Sequence, residues 1–558
     1  MRALLLALLF GAAEARGAEL AFVYVAPNVG TSSGGHAALV AGDVVYHLQN
    51  EDELVRVVRD GWHEFRLVYE ELENRPLSVA RLEVTPQVLE QIQRAFARLL
   101  VEQEIALARR DAARDDVAWL EAFAAHAPPP PLRGAGLLDP ARAGDPDAVR
   151  LRARAAVAVA PGRPEPGEAG DLESLREALL AREADSALAG AYGLAPGAVA
   201  ALPAKLDTPL SDAERAALES LSSQLERRVA ALARSARPDR GYPMLLAQAR
   251  YLAVRRSLAR GRLALLDVFA GLPPALPDEF GEVARARRRA EAGELVRRGR
   301  ALVLAPERGG EADLNLLEEA ASAAAHDGRA DLAGPLSEIG LRKLPALGRS
   351  LPAPPPAGDL GAALAAARAR LAAEDARLAE RWSYELVRRN CITELARAAD
   401  GAFGSAEEVE RALGAPVPDG GEPFGFIPYV FFARVRERLR VAELDELPSR
   451  RTRALAQLLA QSPGLLTRLR ESIAYTSSVY EPRPRDSAFL LFTDDVFWRR
   501  PAYGLVNLAF GLGYAGVGLA SAPFDRGTHL AAGLQGVLWS LPELAFVNVR
   551  KGSYDWSD

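Results

Sequence analysis

The chain has 558 residues, 49% of them hydrophobic and 25% charged, a net charge of −6, and one cysteine. Such a length allows about two to four domains. The lack of a basic block argues against a nucleic-acid partner, and a single thiol excludes an internal disulfide. Basic residues are nearly all arginine, with lysine only at 205, 343 and 551. Together with the abundance of alanine this reads as compositional bias, so arginine richness carries no functional signal and most charges are read as solvated helix faces.

The chain opens on Met1-Arg2 and the apolar run Ala3 to Phe10, followed by small residues. A basic start, a short apolar stretch and small residues after it predict a secretory signal peptide over residues 1–17, with cleavage after Ala15, Gly17 or Ala18. Residues 18–84 read as β-rich. Leu20 to Ala26 is a short apolar run closed by Pro27-Asn28. His36 to Val40 and Val44 to Leu48 flank Ala41-Gly42-Asp43, a hairpin signal. Phe65 to Tyr69 and Leu77 to Val84 alternate in strand fashion.

Thr85 as cap and Pro86 in the first turn start a helix expected to run to about Ala125. Residues 85–377 then read as a helical insertion, broken near Pro128–Pro131, Pro161–Pro166, Pro273-Pro274 and Pro352–Pro356. It lacks a dense cluster of histidine, cysteine and carboxylates, so it is expected to pack against or cover something. Residues 378–498 bring the cysteine, with Asn390 as an N-cap that places Cys391 in the first helical turn and Asp400-Gly401 as the stop. Further helices are expected to about Ser472, and Ala488 to Phe492 reads as strand-like. In residues 499–558, Pro501 to Phe524 carries no charge, and glycines stand at 504, 511, 513, 516 and 518. That pattern predicts a membrane hairpin, or a span followed by an interfacial segment interrupted at Pro542-Glu543.

A lone cysteine in an exported chain is idle, paired with another chain, or kept for its reactivity. Two histidines favour the third reading. With a two-residue turn, His36 lies across from His47 or diagonal to it, and both registers put the imidazoles on one face. A three-residue turn would separate them. We assign Cys391 as nucleophile, His36 as general base and His47 as the group that orients the base. The helix start at Asn390 and the backbone N–H of Cys391 are the expected oxyanion donors. His63, His126, His326 and His529 have no comparable context. No metal-ligand spacing and no phosphate-cradling loop is present, so neither a metal nor another cofactor is expected.

The run His36 to His47, followed much later by Asn390-Cys391, resembles the circularly permuted papain-like proteins, the NlpC and lecithin:retinol acyltransferase group. It is more closely similar to the periplasmic domain of Lnb-type bacterial lipoprotein N-acyltransferases. The features carrying this likeness are the exported start, the Gly35-His-Ala-Ala-Leu39 hairpin, Asn390-Cys-Ile-Thr-Glu-Leu395, and an apolar tail bearing Ser540-Leu-Pro-Glu-Leu544 and Val547-Asn-Val-Arg-Lys-Gly552. It covers residues 20–84 and 380–430, plus the tail.

The resemblance implies an α+β fold: a papain-like core of antiparallel sheet plus cysteine helix, with a long all-α insertion and an apolar tail. It implies transfer of a fatty acyl chain from phospholipid, through a Cys391 thioester, to the N-terminal amine of a lipoprotein. The expected location is the cell envelope, with a periplasmic catalytic domain tethered to the inner membrane by the tail. Two other classes remain open. One is a papain-like cysteine hydrolase, either a peptidoglycan amidase or endopeptidase or a lipid esterase. The other is a non-catalytic envelope protein with Cys391 buried in its core.

Overall fold

The computed structural model describes residues 18–27, 35–155, 171–267, 293, 296–297, 300–301, 311–325, 347–356, 358–418, 422–480, 486–492, 497–549 and 551–552. The expected signal peptide over 1–17, the breaks at Pro161–Pro166 and Pro273-Pro274, and His326 lie outside the described residues. The protein is α+β, an antiparallel six-stranded sheet with many helices. It divides into two compact units. One is drawn from both chain ends, up to Ala106 and from Leu378 onward; the other comes from the middle, Leu107 to Arg377.

The sheet unit is built on β1 (Ala18–Val25), β2 (His36–Ala41), β3 (Val44–Glu51), β4 (Leu54–Gly61) and β5 (Leu77–Val84). After the helical unit, which carries β6 (Leu138–Ala143) and β7 (Tyr192–Leu194), β8 (Val441–Leu447) completes it. Strand order is β4-β3-β2-β1-β5-β8. The β2–β3 turn is Gly42-Asp43, closed by the pair Ala41 and Val44. Gly42 has φ +74, which glycine adopts without a Cβ clash. The β3–β4 turn is Asp52-Glu53, and both residues take positive φ, 52° and 63°. That is the backbone of a type I′ hairpin in a sequence without the usual Asn-Gly or Asp-Gly.

Alternation assigns each side chain to one face. On one face Leu20, Phe22, Leu39, Tyr46, Leu48 and Leu82 form a core with Ile392, Leu395 and Phe431. On the other, Ala21, Val23, Val25, Ala38, Val40 and Val79 pack under Phe65, Val68 and Tyr69. The segment expected as a strand at Phe65–Tyr69 is instead helical: α1 (Trp62–Arg66) runs into a π turn over Leu67–Leu72. Its buried residues fall at 65, 68 and 69, a helical spacing that lays one stripe on the sheet. Strand β8 also lies where helices were expected. It is an acidic edge strand, held to β5 by Arg81–Asp445 at 2.6 Å and Ser78–Glu446 at 2.7 Å. Ala488 to Phe492 forms no strand; Leu491 makes only an isolated bridge with Ile473.

Helix α2 (Pro86–Ala124) starts as its Thr85-Pro86 opening predicts. Its Ile92 and Phe96 join the sheet core, so its first turns belong to the sheet unit. The helical unit holds α3 (Pro146–Ala155), α4 (Leu172–Ala189), α5 (Asp212–Arg234), α6 (Gly241–Arg260) and α7 (Glu311–Ala325), followed by α8 (Leu360–Trp382), which continues past the unit boundary. The helical unit has its own core around Leu179, Leu225, Met244, Leu245 and Leu317, and a buried Arg250–Glu318 ion pair at 2.6 Å.

The sheet unit continues with α9 (Cys391–Asp400), α10 (Ala406–Leu413), α11 (Pro428–Arg438), α12 (Arg450–Gln461) and α13 (Leu465–Ser472). It ends in a hairpin of α14 (Arg500–Asp525) and α15 (Thr528–Leu544). Gly504, Gly511 and Gly518, spaced seven apart, face α15, and Gly533 meets the backbone of Ala515. The hairpin root is polar. Asn507 takes the N–H groups of Leu490 and Leu491 at 3.0 and 2.8 Å, and Lys551 pairs with buried Glu543 at 2.8 Å. A Cβ on Gly536 would stand 2.0 Å from the carbonyl oxygen of Ala488. Gly536→Leu should therefore lower unfolding free energy by about 3 kcal/mol or more, read as a shifted denaturation midpoint. An unchanged midpoint would mean that this contact is not made.

Candidate active site

Three neighbouring strands build one hydrogen-bonded line. In the β2–β3 register Ala38 stands opposite His47, so His36 is diagonal to His47 and both imidazoles share the face under Tyr69. His36 Nε2 and His47 Nδ1 are 2.9 Å apart, and His47 Nε2 lies 2.9 Å from Asp60 Oδ2. Asp60 reaches this point because His47 pairs with Val58 on β4, which puts Asp60 diagonal to it. All three side chains are buried.

The proton positions follow from the partners. A carboxylate accepts, so His47 Nε2–H donates to Asp60. His47 Nδ1 is then the acceptor, taking His36 Nε2–H at 2.9 Å and facing the Gln49 amide at 3.4 Å. Gln49 also donates to the Tyr69 hydroxyl at 3.1 Å. His36 Nδ1 is left as a lone pair, the atom a general base uses. His36 stacks on Tyr69 with centroids 5.5 Å apart. Burial first, then the charges of His47 and Arg75, holds its pKa well below the usual 6.5.

Cys391 opens α9 from the opposite face of the sheet. Asn390 is the N-cap: its Oδ1 accepts from Ile392 N at 2.9 Å and Thr393 N at 3.0 Å, and its own N–H donates to Thr393 Oγ1 at 2.8 Å. Asn390 Nδ2 donates to the carbonyls of Leu386 and Phe426, both at 2.8 Å. The Asn390 side chain is thus committed to building the helix start, and it does not cap the Cys391 N–H.

The backbone N–H groups of Ala37, Ile392 and Cys391 favour the thiolate form of Cys391. Burial pushes the thiol up to about 11, and these three donors, followed by the charge of Arg75, oppose the rise. The structure therefore brings Cys391 against the residue adjoining His36. Sγ makes no hydrogen bond with the His36 imidazole; the cysteine helix packs on one face of the sheet and the histidine line lies in the other. Tyr384 is half-buried in the same surroundings; burial, then Cys391, raises its phenol pKa. Its backbone N–H donates to Glu53 O at 2.7 Å, which ties the approach to the cysteine helix to the β3–β4 turn.

Comparisons of the chain with protein-family models, curated proteins and solved structures find no match. The reading of the site consequently rests on its own geometry. No cluster of three or more histidine, cysteine or acidic groups suited to a metal occurs among the described residues. His529 lies on the exposed start of α15 beside Asp525, away from this line.

Sequence reasoning reached His36, His47, Asn390 and Cys391 but missed Asp60, Gln49, Tyr69, Tyr384 and Arg75. The signal for Asp60 was the valine-rich run Leu54 to Val58, a strand composition hidden by the unusual Asp52-Glu53 turn. Asp60→Ala should cost about 2 kcal/mol of stability, because it strands the buried His47 donor; a denaturant melt equal to wild type would contradict the bond. NMR titration should find His36 neutral at pH 6.5 and below. Because the unfolded chain takes that proton first, wild type should lose stability relative to His36→Gln as pH falls below 6.5. A His36 pKa at or above 6.5 would overturn the assignment.

Proposed function

We propose that this chain is a thiol-dependent acyltransferase with a circularly permuted papain-like core. It carries a fatty acyl chain from phospholipid, through a Cys391 thioester, to the N-terminal amine of a lipoprotein in the cell envelope. The observation that carries this reading is the placement of Cys391 at a capped helix start, packed on the same sheet whose strands carry the His36–His47–Asp60 line.

A thiol held near 11 is scarcely ionised at neutral pH. It becomes a nucleophile when His36 Nδ1 takes its proton as the sulfur attacks the ester carbonyl. His47 and Asp60 offset the charge that then appears on His36. The N–H groups at the start of α9 stabilise the oxyanion; losing one such donor typically costs about 3 kcal/mol of barrier. The imidazolium returns its proton to the leaving glycerol oxygen. In the second half-reaction the neutral amine of the acceptor attacks the thioester, and His36 takes the proton that this amine loses.

Two further observations favour a lipid donor over a peptide substrate. Helix Arg500–Asp525 is long and apolar enough to cross a membrane. Leu505, Leu512, Val517, Leu519, Leu534 and Leu538 are exposed on the hairpin, and Phe524 near its tip is 90% exposed. A cavity of about 680 Å³ joins Tyr24 of β1 to Arg500 and Phe546 at the hairpin root. An acyl donor drawn from the bilayer at that root would enter beside Tyr24, the strand partner of Ala37.

Mass spectrometry of lipoprotein N-termini, in a host lacking any other such enzyme, tests this reading. Cells carrying the protein should show amine-acylated N-termini, and cells carrying Cys391→Ala should not. Unchanged N-termini with wild-type protein would eliminate it.

A further inference from the structure

The helix of Cys391 starts between two loops that present apolar side chains to the outside. Glu385 and Arg389 exchange two backbone bonds of 2.9 Å, which puts Leu386, Val387 and Arg388 at the tip of a tight loop just before Asn390. A second loop carries Phe424, fixed by Gly425 N–H on Glu422 O at 2.8 Å and by Ile427 N–H on Phe424 O at 3.0 Å. Asn390 Nδ2 ties the two loops together, since it donates to the carbonyls of Leu386 and Phe426. Leu386, Val387 and Phe424 are 63%, 51% and 66% exposed. Phe424 also takes φ +61, a conformation that a bulky residue adopts only where its surroundings impose it. Single apolar residues scattered over a surface need no explanation. Three of them on two loops joined by the cap of the cysteine helix do.

What meets them follows from the end of the sheet that they occupy. His36 pairs with Val25, Val25 with Leu77, and Leu77 with Leu447, so these four residues mark one end. The β3–β4 turn lies at the same end, where Glu53 O accepts the N–H of Tyr384, the residue that leads into the first loop. The hairpin root stands there too. Arg500 and Phe546 line one cavity with Ala26, Pro76 and Tyr429, and Tyr429 closely follows Phe426 in the second loop. Trp498 and Phe546 are exposed at that root, and the Arg499 guanidinium lies 4.5 Å from the centre of the Trp498 ring. Aromatic and cationic residues just outside an apolar span mark the level of the lipid headgroups. That level and the start of the cysteine helix therefore lie at one end of one sheet.

We propose that the lip of Leu386, Val387 and Phe424 rests in the interfacial layer of the membrane that holds the hairpin, so that the cysteine helix starts at the lipid surface. The inference rests on the membrane placement of the hairpin in the preceding subsection, and it names lipid as the occupant of the lip. Apolar side chains on two loops gain by entering the boundary of the acyl chains, while exposed Arg388 beside them stays among anionic headgroups. A hairpin anchors the unit but leaves it free to tilt. A second contact beside the thiol restricts that tilt and keeps the site against its donor.

The test places a nitrobenzoxadiazole label on single cysteines in the full chain carrying Cys391→Ala, reconstituted in vesicles of phosphatidylethanolamine and phosphatidylglycerol. Leu386→Cys and Phe424→Cys put the label on the lip. Leu512→Cys puts it on the hairpin, and Asp43→Cys on the exposed turn at the opposite end of the sheet. Both lip labels should emit to the blue of the Asp43 label. They should also lose severalfold more fluorescence than it does to lipids bearing a doxyl group near the headgroup. The hairpin label should be quenched more by doxyl groups deep in the acyl chain. Lip labels that behave like the Asp43 label overturn the proposal. If the hairpin label is still quenched, the membrane reading survives without it; if it is not, both fall. Lip labels shielded only when a lipoprotein peptide is added would make this a protein-docking surface, which also overturns the proposal.

Discussion

The hydrogen-bonded line from Asp60 through His47 to His36 is the constraint on which the rest of the site depends. It crosses three neighbouring strands, and each member is buried. A polar group inside an apolar layer is costly without its partner, so the line specifies the register of β2 on β3 and of β3 on β4. A slip of one residue in either pair would turn one member to the opposite face and leave the others unpaired. The same bonds fix the tautomers. Asp60 at one end determines that Nδ1 of His36 is unprotonated at the other, although the two side chains do not touch.

The cysteine helix meets this line at the end of β2 rather than on its face. The histidine line lies in one face of the sheet and the cysteine helix packs on the other. This arrangement accounts for the electrostatics. The base sits in a layer packed by Phe65, Val68 and Tyr69, and burial keeps it neutral. The thiol also sits in crowded surroundings and keeps its proton. A neutral pair at rest is suited to a reagent that should react with a bound ester and not with passing oxidants or disulfides. Asn390 maintains the other half of the geometry, since its side chain is wholly used in starting the helix at Cys391.

The legible parts of the sequence were those where local chemistry and tertiary packing agree. Gly42-Asp43 is a turn in any context, and it alone set the two histidines on one face. Asn390 before an amphipathic run is a cap in any context, and it placed Cys391. The illegible parts were those where packing overrides the local signal. Asp52-Glu53 adopts a turn that its residues do not favour, because β4 gains a buried Asp60 by returning there. Phe65 to Tyr69 alternates like a strand, but the sheet's second face needs a helical stripe and obtains one. Val441 to Leu447 is too acidic to read as a strand, and its charges are what an edge beside Arg81 and Ser78 accommodates. Arg75 gave no signal at all, since one arginine among many means nothing until its neighbours in space are known.

A cavity at the root of the apolar hairpin has Tyr24, the strand partner of Ala37, in its wall. The account stands or falls on whether the sulfur of Cys391 carries an acyl group taken from lipid. Intact-mass measurement of the purified chain after incubation with phospholipid alone addresses this directly. The predicted result is an acyl adduct at Cys391, released by hydroxylamine and absent from Cys391→Ala and His36→Ala. No adduct, or equal label on wild type and Cys391→Ala, would contradict the account.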